Sequence, residues 1–260
     1  MSFVPLIHQL TDTAGEIARQ YFRARLDIIS KSDESPVTVA DREIEKALRA
    51  VLEEQRPDDG ILGEEFGIKY GSNNLCWVID PIDGTKPFTT GRPSFGTLIA
   101  LCRDGVPILG CIDQPILNER WIGGEDVPAT LNGQAIRVAP CPSLGDAKLA
   151  TTAPEMFVGG NFDRFTALKK ASRYVIYGGD CYSYGALAAG WLDLVVEADL
   201  GTHDYCALAP IIQAAGGFIS DWDGKPLTME SDGRVIAIGD IGLKDEVLAI
   251  LGTTEIKEDF

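Results

Sequence analysis

The chain has 260 residues, of which 45% are hydrophobic, and this composition is typical of a globular protein with a full core. Its 39 acidic and 23 basic residues give a formal net charge of −16, which excludes nucleic acids and anionic membranes as expected partners. No apolar run reaches the roughly 18–20 residues of a membrane span. The polar start lacks the basic segment of a signal peptide, and six cysteines without a CxxC pair predict free thiols in the cytoplasm.

Residues 1–140 predict an N-terminal α+β subdomain that begins with two helices. Apolar residues at helical spacing predict an amphipathic helix over residues 3–29. A second apolar stripe follows Thr38 and Asp41, whose spacing resembles that of a capping box at a helix N-terminus. The segment 56–60 is rich in Pro, Asp and Gly, and we expect this second helix to end there.

The next stretch, to about residue 138, is predicted to be mostly β-strand. Its short apolar runs cover residues 75–79, 96–102, 106–112 and 120–122. Turn residues separate these runs at Gly105, Asn118 and the pair Asn132-Gly133. The segment 139–143 contains two prolines and predicts a linker between two subdomains.

Residues 141–260 predict a C-terminal α/β subdomain, because apolar strands alternate with helical patterns. The predicted strands are residues 149–150, 174–177, 192–197 and 217–220. The predicted helices lie near residues 161–171, 183–190 and 204–215.

The first strong chemical signal stands where the apolar run 75–79 ends in two carboxylates, Asp80 and Asp83. Pro81 fixes its φ angle and cannot donate a ladder hydrogen bond, so we expect the strand to end there. The turn would then aim both carboxylates and the Ile82 carbonyl at one point. Carboxylates without Cys or His partners suit Mg²⁺. Water and phosphate complete the coordination shell of this ion. An ordinary surface turn is the alternative, although the preceding run is too apolar for an exposed edge.

Three motifs together carry a family resemblance. They are Gly63-Glu64-Glu65, Asp80-Pro81-Ile82-Asp83-Gly84-Thr85, and Asp204 with the helix that leads to Ala215-Gly216-Gly217. In order and spacing they resemble the inositol monophosphatase family of Mg²⁺-dependent, lithium-sensitive phosphomonoesterases. Segments 91–101, 178–182 and 193–200 are most similar to its histidinol-phosphate phosphatase branch. The resemblance implies a layered α-β-α-β-α sandwich of the inositol monophosphatase and fructose-1,6-bisphosphatase type, an active site between the subdomains, and a homodimer.

The resemblance also assigns roles to individual residues. The implied metal ligands, for two or three Mg²⁺ ions or Mn²⁺ as a substitute, are Glu64, Asp80, the Ile82 carbonyl, Asp83 and Asp204. Glu64 and Thr85 would orient the attacking water, and the N–H groups of Gly84 and Thr85 at a helix start would bind the phosphate. Asp41 and Thr38 match an outer shell that orients a third metal ion, and a helix cap is an equally good interpretation of that pair.

Residues near Asp204 have simpler alternatives. Asp204 taken alone would be a helix N-cap. The chain has two histidines, of which His8 is expected on the surface of the first helix and His203 is expected to pack rather than catalyse. The segment Gly201-Thr202-His203 departs from the branch pattern, which usually has an aromatic residue before this aspartate.

The implied substrate pocket contains carboxylates from the second subdomain. Gly178, Gly179 and Asp180, together with Glu197 and Asp204, match positions that line the family's pocket. Two carboxylates would favour a cationic head such as the amine of histidinol. Asp180 as a cap of the helix that follows it is the alternative. The expected reaction is hydrolysis of a small phosphate monoester, histidinol phosphate in histidine biosynthesis, by metal-activated water.

Other functions remain open at this stage. An inositol-1-monophosphatase or a broad sugar-phosphate phosphatase is the first alternative. A nucleotide 3′-phosphatase is disfavoured, because no basic and aromatic cluster is available for a base and a second phosphate. A binding partner of the transcription machinery would need a basic or apolar docking surface, which the charge of −16 disfavours. A catalytically inactive scaffold is disfavoured because a carboxylate fills every side-chain ligand position.

Overall fold

The structure is a computed structural model that describes residues 3–24 and 36–252. Within these residues the α-helices are Val4–Tyr21 (α1), Pro36–Gln55 (α2), Thr85–Thr89 (α3), Gly160–Ala171 (α4), Asp180–Ala188 (α5), Thr202–Tyr205 (α6), Leu208–Ala214 (α7) and Lys244–Leu251 (α8). The strands of the first half are Gly60–Gly63 (β1), Gly67–Lys69 (β2), Leu75–Asp83 (β3), Gly96–Arg103 (β4), Val106–Gln114 (β5), Glu119–Gly124 (β6), Val127–Leu131 (β7) and Gln134–Ala135 (β8). Those of the second half are Lys148–Thr151 (β9), Tyr174–Tyr177 (β10), Leu194–Glu197 (β11), Phe218–Ser220 (β12) and Val235–Ile238 (β13). None of the described helices combines the length and the apolar character that crossing a bilayer requires.

Two sheets alternate with three helical layers. The first sheet has the order β2-β1-β3-β4-β5-β6-β7-β8, and the second has the order β10-β9-β11-β13-β12. Helices α1 and α2 pack on the outer face of the first sheet, α5 and α7 lie between the sheets, and α4 and α8 cover the outer face of the second sheet. This arrangement confirms the predicted α-β-α-β-α sandwich. All strands of the first sheet precede residue 136 and all strands of the second follow residue 147, and the division into subdomains at residue 140 stays a proposal.

The two predicted amphipathic helices form, with different ends. The buried residues of α1 are Ile7, Leu10, Thr11, Ala14, Gly15 and Ala18, which lie on one face of the helix. The helix ends at Tyr21 and not near residue 29, because Phe22 turns into extended backbone. The Phe22 ring then packs 5.1 Å from that of Phe95 and 5.6 Å from that of Phe88. Residues 25–29 of the predicted helix lie outside the described residues.

The capping box predicted at Thr38 and Asp41 is wrong. Helix α2 begins two residues earlier, at Pro36, so both residues lie inside the helix. Proline suits the first helical position because the missing N–H would have had no intrahelical partner there. Asp41 is buried, with 5% of its surface exposed, on the side of α2 that packs toward the first sheet.

The strand that carries the acidic motif does not end at Pro81 as expected. Strand β3 pairs with β4 as far as Asp83, and its register shifts between Asp80 and Asp83. Such a bulge accommodates a proline, since the extra residues leave the hydrogen-bonding ladder. Thr97 on β4 donates a hydrogen bond of 2.8 Å to the Pro81 carbonyl and fixes the bulge.

The predicted hairpin turns are present, and one predicted helix is divided. Asn132 and Gly133 connect β7 to β8 with φ angles of 50° and 76°, the left-handed pair that a two-residue hairpin turn needs. The helix expected over residues 204–215 forms as α6 and α7 instead. Pro210 explains the division, because it lacks the N–H that would bond to the carbonyl of Cys206.

Candidate active site

Strand register brings Glu64 next to Asp80. Strands β1 and β3 are parallel, and Gly63 lies opposite Ile79. The backbone N–H of Glu64 donates to the carbonyl of Ile79 at 3.3 Å. Residues that follow neighbouring parallel strands emerge at the same edge of a sheet, where open sheets present catalytic groups. The two acidic motifs therefore meet through pairing of their strands.

A buried glutamate that the sequence analysis did not identify holds the turn that carries Glu64. Glu45 on α2 is fully buried and accepts hydrogen bonds from the backbone N–H of Glu65 at 2.7 Å and of Phe66 at 3.2 Å. It also pairs with Arg49 at 2.7 Å. A Cβ on Gly63 would lie 2.0 Å from the Glu45 carboxylate, so a side chain there would displace this carboxylate. The signal for this role in the sequence was the position of an acidic residue beside the apolar stripe of α2.

The bulge in β3 presents two carboxylates with different surroundings. Asp83 accepts a 2.6 Å hydrogen bond from the backbone N–H of Cys181, which ties the first sheet to the start of α5. Asp80 is 2% exposed, and its Oδ1 has no hydrogen-bond partner among the described residues. The Ile82 side chain between them is buried in the core, and metal binding by its carbonyl stays a prediction.

Helix α6 brings Asp204 to the same place. Asp204 is the third residue of this helix and not its N-cap, and its Oδ2 accepts a 2.6 Å hydrogen bond from the N–H of Gly201. Asp80, Asp83 and Asp204 each offer one carboxylate oxygen, and these oxygens lie within 4.8 Å of one another. The structure thus gathers the three predicted aspartates from two layers.

The electrostatics of this cluster fit a divalent cation. Burial, and then the nearby charges of Asp83 and Glu64, raise the pKa of Asp80 well above its usual range. Burial and the charge of Asp204 do the same to the pKa of Asp83. Burial and Glu64 raise the pKa of Asp41 to about 8. Buried carboxylates that repel one another are costly unless a cation is bound among them.

The orphaned polar atoms support the same conclusion. Five buried side-chain atoms in the described part of the chain lack a hydrogen-bond partner. Three of them are carboxylate oxygens of Asp41, Asp80 and Asp180, all residues predicted for the site. Oxygen donors without protein partners are what Mg²⁺ or another hard cation binds.

His203, which was expected to pack rather than catalyse, lies beside two of the predicted site carboxylates. Its Nε2 lies 3.6 Å from Asp204 Oδ1 and 3.8 Å from Glu64 Oε1. With Glu64 and Asp80 it forms a second group of possible ligand atoms within 4.8 Å of one another. His8 is exposed on α1, as expected, and contacts Arg120.

Gly84 and Thr85 begin a short helix beside the aspartates. Gly84 has a φ angle of 86°, a conformation that favours glycine, and a Cβ there would lie 3.1 Å from Phe95 Cα. Thr85 is the exposed first residue of α3. The first N–H groups of a helix have no intrahelical partner, although α3 has only five residues. Phosphate binding by Gly84 and water orientation by Thr85 stay predictions, as does the outer-shell role of Thr38.

A small cavity continues from the aspartates toward the second sheet. Its lining includes the carboxylates of Asp83, Asp180, Glu197 and Asp204. Glu197 accepts hydrogen bonds from the Thr152 N–H at 3.0 Å, from the Thr152 hydroxyl at 2.5 Å and from the Tyr184 hydroxyl at 3.0 Å. Burial raises the pKa of Glu197 to about 7, and these hydrogen bonds oppose the rise.

Asp180 faces this cavity at the start of α5, next to Gly178 and Gly179. The alternative in which it caps a helix is wrong, because α5 begins at Asp180 itself and has no side-chain cap. Burial raises the pKa of Asp180 to about 6, while the nearby charges of Lys86 and Arg92 lower it. Sequence analysis did not place these two cations at the site, although both lie within ten residues of Asp83.

A larger cleft of about 580 Å³ lies elsewhere, between α1 and the first sheet. Arg120 bonds there to Asp113 at 2.6 Å, to Asp12 at 2.8 Å and to His8 at 2.9 Å. These charged groups satisfy one another, so we assign the chemistry to the smaller acidic cavity.

Comparisons with known proteins find similar chains over nearly the whole length of this one. The sequence profile of the inositol monophosphatase family matches residues 3–252. The chain is 43% identical over 258 residues to the chloroplastic bifunctional phosphatase IMPL2 of Arabidopsis thaliana, covering 96% of this chain and 75% of that protein. It is 36% identical to the histidinol-phosphatase of Mycobacterium tuberculosis, covering 93% of this chain and 95% of that protein. The structure matches that of an inositol monophosphatase from Zymomonas mobilis with a TM-score of 0.90 and 46% identity, over 97% of this chain and 100% of that one.

Proposed function

The chain belongs to the inositol monophosphatase family and is a phosphomonoesterase, and from this premise we propose that it hydrolyses histidinol phosphate to histidinol with Mg²⁺ as its metal ion. One observation carries the choice of substrate: among the described residues, the lining of the cavity beside the proposed metal-binding aspartates has four carboxylates and no lysine or arginine. A leaving alcohol with an ammonium group is the chemistry that such a lining favours.

Two of the four carboxylates are available to the leaving alcohol. Asp83 and Asp204 belong to the proposed metal site, whereas Asp180 and Glu197 line the part of the cavity beyond it. Asp180 Oδ2 has no hydrogen-bond partner among the described residues and is free to accept one from an ammonium. Glu197 accepts a hydrogen bond from Thr152, and its carboxylate would add negative potential to the part of the cavity that receives the leaving alcohol.

The residues that would hold the metal ions are Asp80, Asp83 and Asp204 for one ion and Glu64 with Asp80 for a neighbouring one. The first set consists of carboxylate oxygens alone, which suits Mg²⁺. When bound, the ions neutralise charge on the phosphate and make water a better nucleophile.

The protein's own groups then direct the displacement. The N–H groups of Gly84 and Thr85 hold phosphate oxygens, and the Thr85 hydroxyl and Glu64 carboxylate orient the attacking water. The water oxygen bonds to phosphorus as the bond to the leaving alcohol breaks. Glu64 accepts the water proton and then releases it to solvent, and solvent water protonates the leaving alkoxide, so inorganic phosphate and histidinol are the products. The charge of Glu64 helps to raise the pKa of Asp41, so the two carboxylates lie close enough to interact.

Metal dependence is tested first. Protein stripped with a chelator should release no phosphate from histidinol phosphate, and Mg²⁺ should restore the rate, with Mn²⁺ as a weaker or comparable substitute. Lithium should inhibit. Turnover that persists in excess chelator would contradict the proposed site.

A second candidate substrate is inositol 1-phosphate, which the 46% identical structure of an inositol monophosphatase favours. Glu197, with a pKa of about 7, could serve a sugar hydroxyl as a hydrogen-bond partner in either protonation state. A phosphate-release panel with histidinol phosphate, inositol 1-phosphate, fructose 1,6-bisphosphate and 3′-phosphoadenosine phosphate distinguishes the candidates. Preference for inositol 1-phosphate would overturn the substrate proposal and leave the phosphatase assignment intact.

We also propose a homodimer and a cytoplasmic location. Strand β10 lies at the edge of the second sheet and exposes Tyr174, Ile176 and Tyr177. Apolar side chains on an unpaired edge favour association with a second copy. Light scattering should give twice the mass of the chain, and Ile176→Lys should shift it toward the monomer. A monomeric wild-type protein would contradict the dimer.

A further inference from the structure

The imidazole of His203 occupies a position that the proposed Mg²⁺ chemistry does not require. Its Nε2 lies 3.6 Å from Asp204 Oδ1 and 3.8 Å from Glu64 Oε1. Both distances exceed the hydrogen-bond range. They match the spacing of two ligands on one metal ion, because ligands at about 2.1 Å from an ion lie roughly 3–4.2 Å apart.

A second observation points to a ligand at the same place. Asp80 is 2% exposed, and its Oδ1 is without a hydrogen-bond partner in the described part of the chain. Its carboxylate lies within 4.8 Å of ligand atoms of both Glu64 and His203. A buried carboxylate oxygen in this condition needs a cation or a donor, and no described side chain supplies one.

The backbone next to His203 is shaped for the ring. A Cβ on Gly201 would lie 2.6 Å from Cε1 of His203 and 3.0 Å from its Nε2. Gly201 has an ordinary φ angle of −76°, so its backbone conformation does not require glycine. The absence of a side chain at Gly201 instead leaves the space that the imidazole of His203 fills.

We propose that His203 Nε2, Glu64 and Asp80 form a mixed nitrogen and oxygen site that selects a first-row transition ion such as Mn²⁺ over Mg²⁺, next to an all-oxygen site at Asp80, Asp83 and Asp204. This inference rests on the metal site of the proposed function and adds a different ion preference to one half of it. Imidazole nitrogen suits transition ions, whereas Mg²⁺ strongly prefers oxygen.

Pulsed electron paramagnetic resonance of bound Mn²⁺ tests the nitrogen ligand directly. The chain contains two histidines, so His8→Gln is a matched control for His203→Gln, and the protein must be made without a histidine tag. With one equivalent of Mn²⁺, wild type and His8→Gln should show imidazole-nitrogen modulation of the electron spin echo, and His203→Gln should not. Gly201→Ala should weaken the modulation by displacing the ring.

Calorimetric titration gives the second readout. His203→Gln should lower the affinity for Mn²⁺ by at least about 10-fold, the lower end of what disturbing a metal ligand's surroundings costs. The affinity for Mg²⁺ should change by less than about 3-fold, because Mg²⁺ favours oxygen ligands. Equal losses for both ions would overturn the proposed selectivity.

The outcomes separate this inference from the proposed function. Wild-type protein without nitrogen modulation, or modulation that persists in His203→Gln, would overturn the role of His203 even if phosphate release remains Mg²⁺-dependent. Nitrogen modulation that disappears only with His203 supports the site even if histidinol phosphate proves not to be a substrate.

Discussion

The two halves of the site are built in different ways. Glu64 follows β1, and Asp80 and Asp83 lie at the end of its partner strand β3, so a short stretch of backbone pairing fixes where they lie. Asp180 and Asp204 come from helices between the sheets and reach the site only when the layers pack. We expect the strand half, together with Asp204, to hold the metal ions for the reaction, and the other residues of the helical half to choose the substrate and the ion.

The largest expected effect lies in the strand half. Asp83→Asn removes a charge without changing shape and should abolish turnover, because metal assistance is worth several kcal/mol, or roughly 1000-fold or more in rate. The asparagine oxygen can still accept from the Cys181 N–H, so the fold should persist. Steady-state phosphate release measures the loss, and thermal unfolding checks the fold.

Asp245→Asn is the matched control for that variant, since Asp245 is an exposed aspartate on α8. It should keep the wild-type rate. A normal rate in Asp83→Asn would show that the strand half does not hold the metal ions.

Thr85→Ala should have the next largest effect. General-base assistance contributes about 10²–10⁴-fold, and loss of one orienting hydroxyl should cost the lower part of that range in kcat. KM should change little, because the hydroxyl acts on water and not on the substrate. Thr85→Ser keeps the hydroxyl and should retain most of the activity. If the two variants lose activity equally, Thr85 serves helix α3 rather than the water.

The strand half was also the half that the sequence predicted well. Asp80 and Asp83 stand three residues apart after an apolar run, and local spacing alone placed them together. The bulge that keeps them in the sheet was not predictable, because it depends on pairing with β4 and on the bond from Thr97. The layered fold followed from the family resemblance, whereas the short strands β2 and β8 leave too weak a pattern to detect.

The contacts of the helical half were harder to predict from the sequence, and the reason is physical. His203 faces Glu64 across about 140 positions of sequence, and no periodic pattern reports such a contact. Lys86 and Arg92 likewise affect Asp180 only through the packing of α5 against the first sheet. Glu45 supports the turn of Glu64 through backbone N–H groups, which any residue type offers.

Asp180→Asn tests the role of the helical half in substrate choice. If Asp180 receives the ammonium of histidinol phosphate, its loss should reduce kcat/KM by about 10-fold or more, since hydrogen bonds to charged groups contribute about 1.5–3 kcal/mol. The kcat/KM for inositol 1-phosphate should stay nearly unchanged, because no ion pair is lost. Equal losses on both substrates would show that Asp180 supports the local structure and does not select the substrate.

The smallest expected effect is a pH dependence of stability at Glu197. Its carboxyl pKa is raised from 4.5 to about 7, chiefly by burial. Because the folded pKa exceeds the unfolded value, the unfolded chain releases this proton first, so stability falls as pH rises from about 5 to 8. In metal-free protein, the free energy of unfolding of Glu197→Gln relative to that of the wild type should rise by about 1–3 kcal/mol over that pH range, as measured by denaturant unfolding.

Glu155 is an exposed glutamate in the same half of the chain and provides the control. Glu155→Gln should follow the wild-type stability at every pH. A constant difference between wild type and Glu197→Gln from pH 5 to 8 would mean that Glu197 titrates near its ordinary pKa and is not held in an apolar environment.

A competition assay tests the central claim, that the carboxylates beyond the metal site select a cationic phosphate monoester. Equal concentrations of histidinol phosphate and inositol 1-phosphate are mixed with wild-type protein and Mg²⁺, and phosphorus NMR follows both substrates. Their relative rates give the ratio of kcat/KM directly. We expect histidinol phosphate to be consumed faster than inositol 1-phosphate by about 10-fold or more, because one charge-assisted hydrogen bond favours it. Faster loss of inositol 1-phosphate would contradict the account.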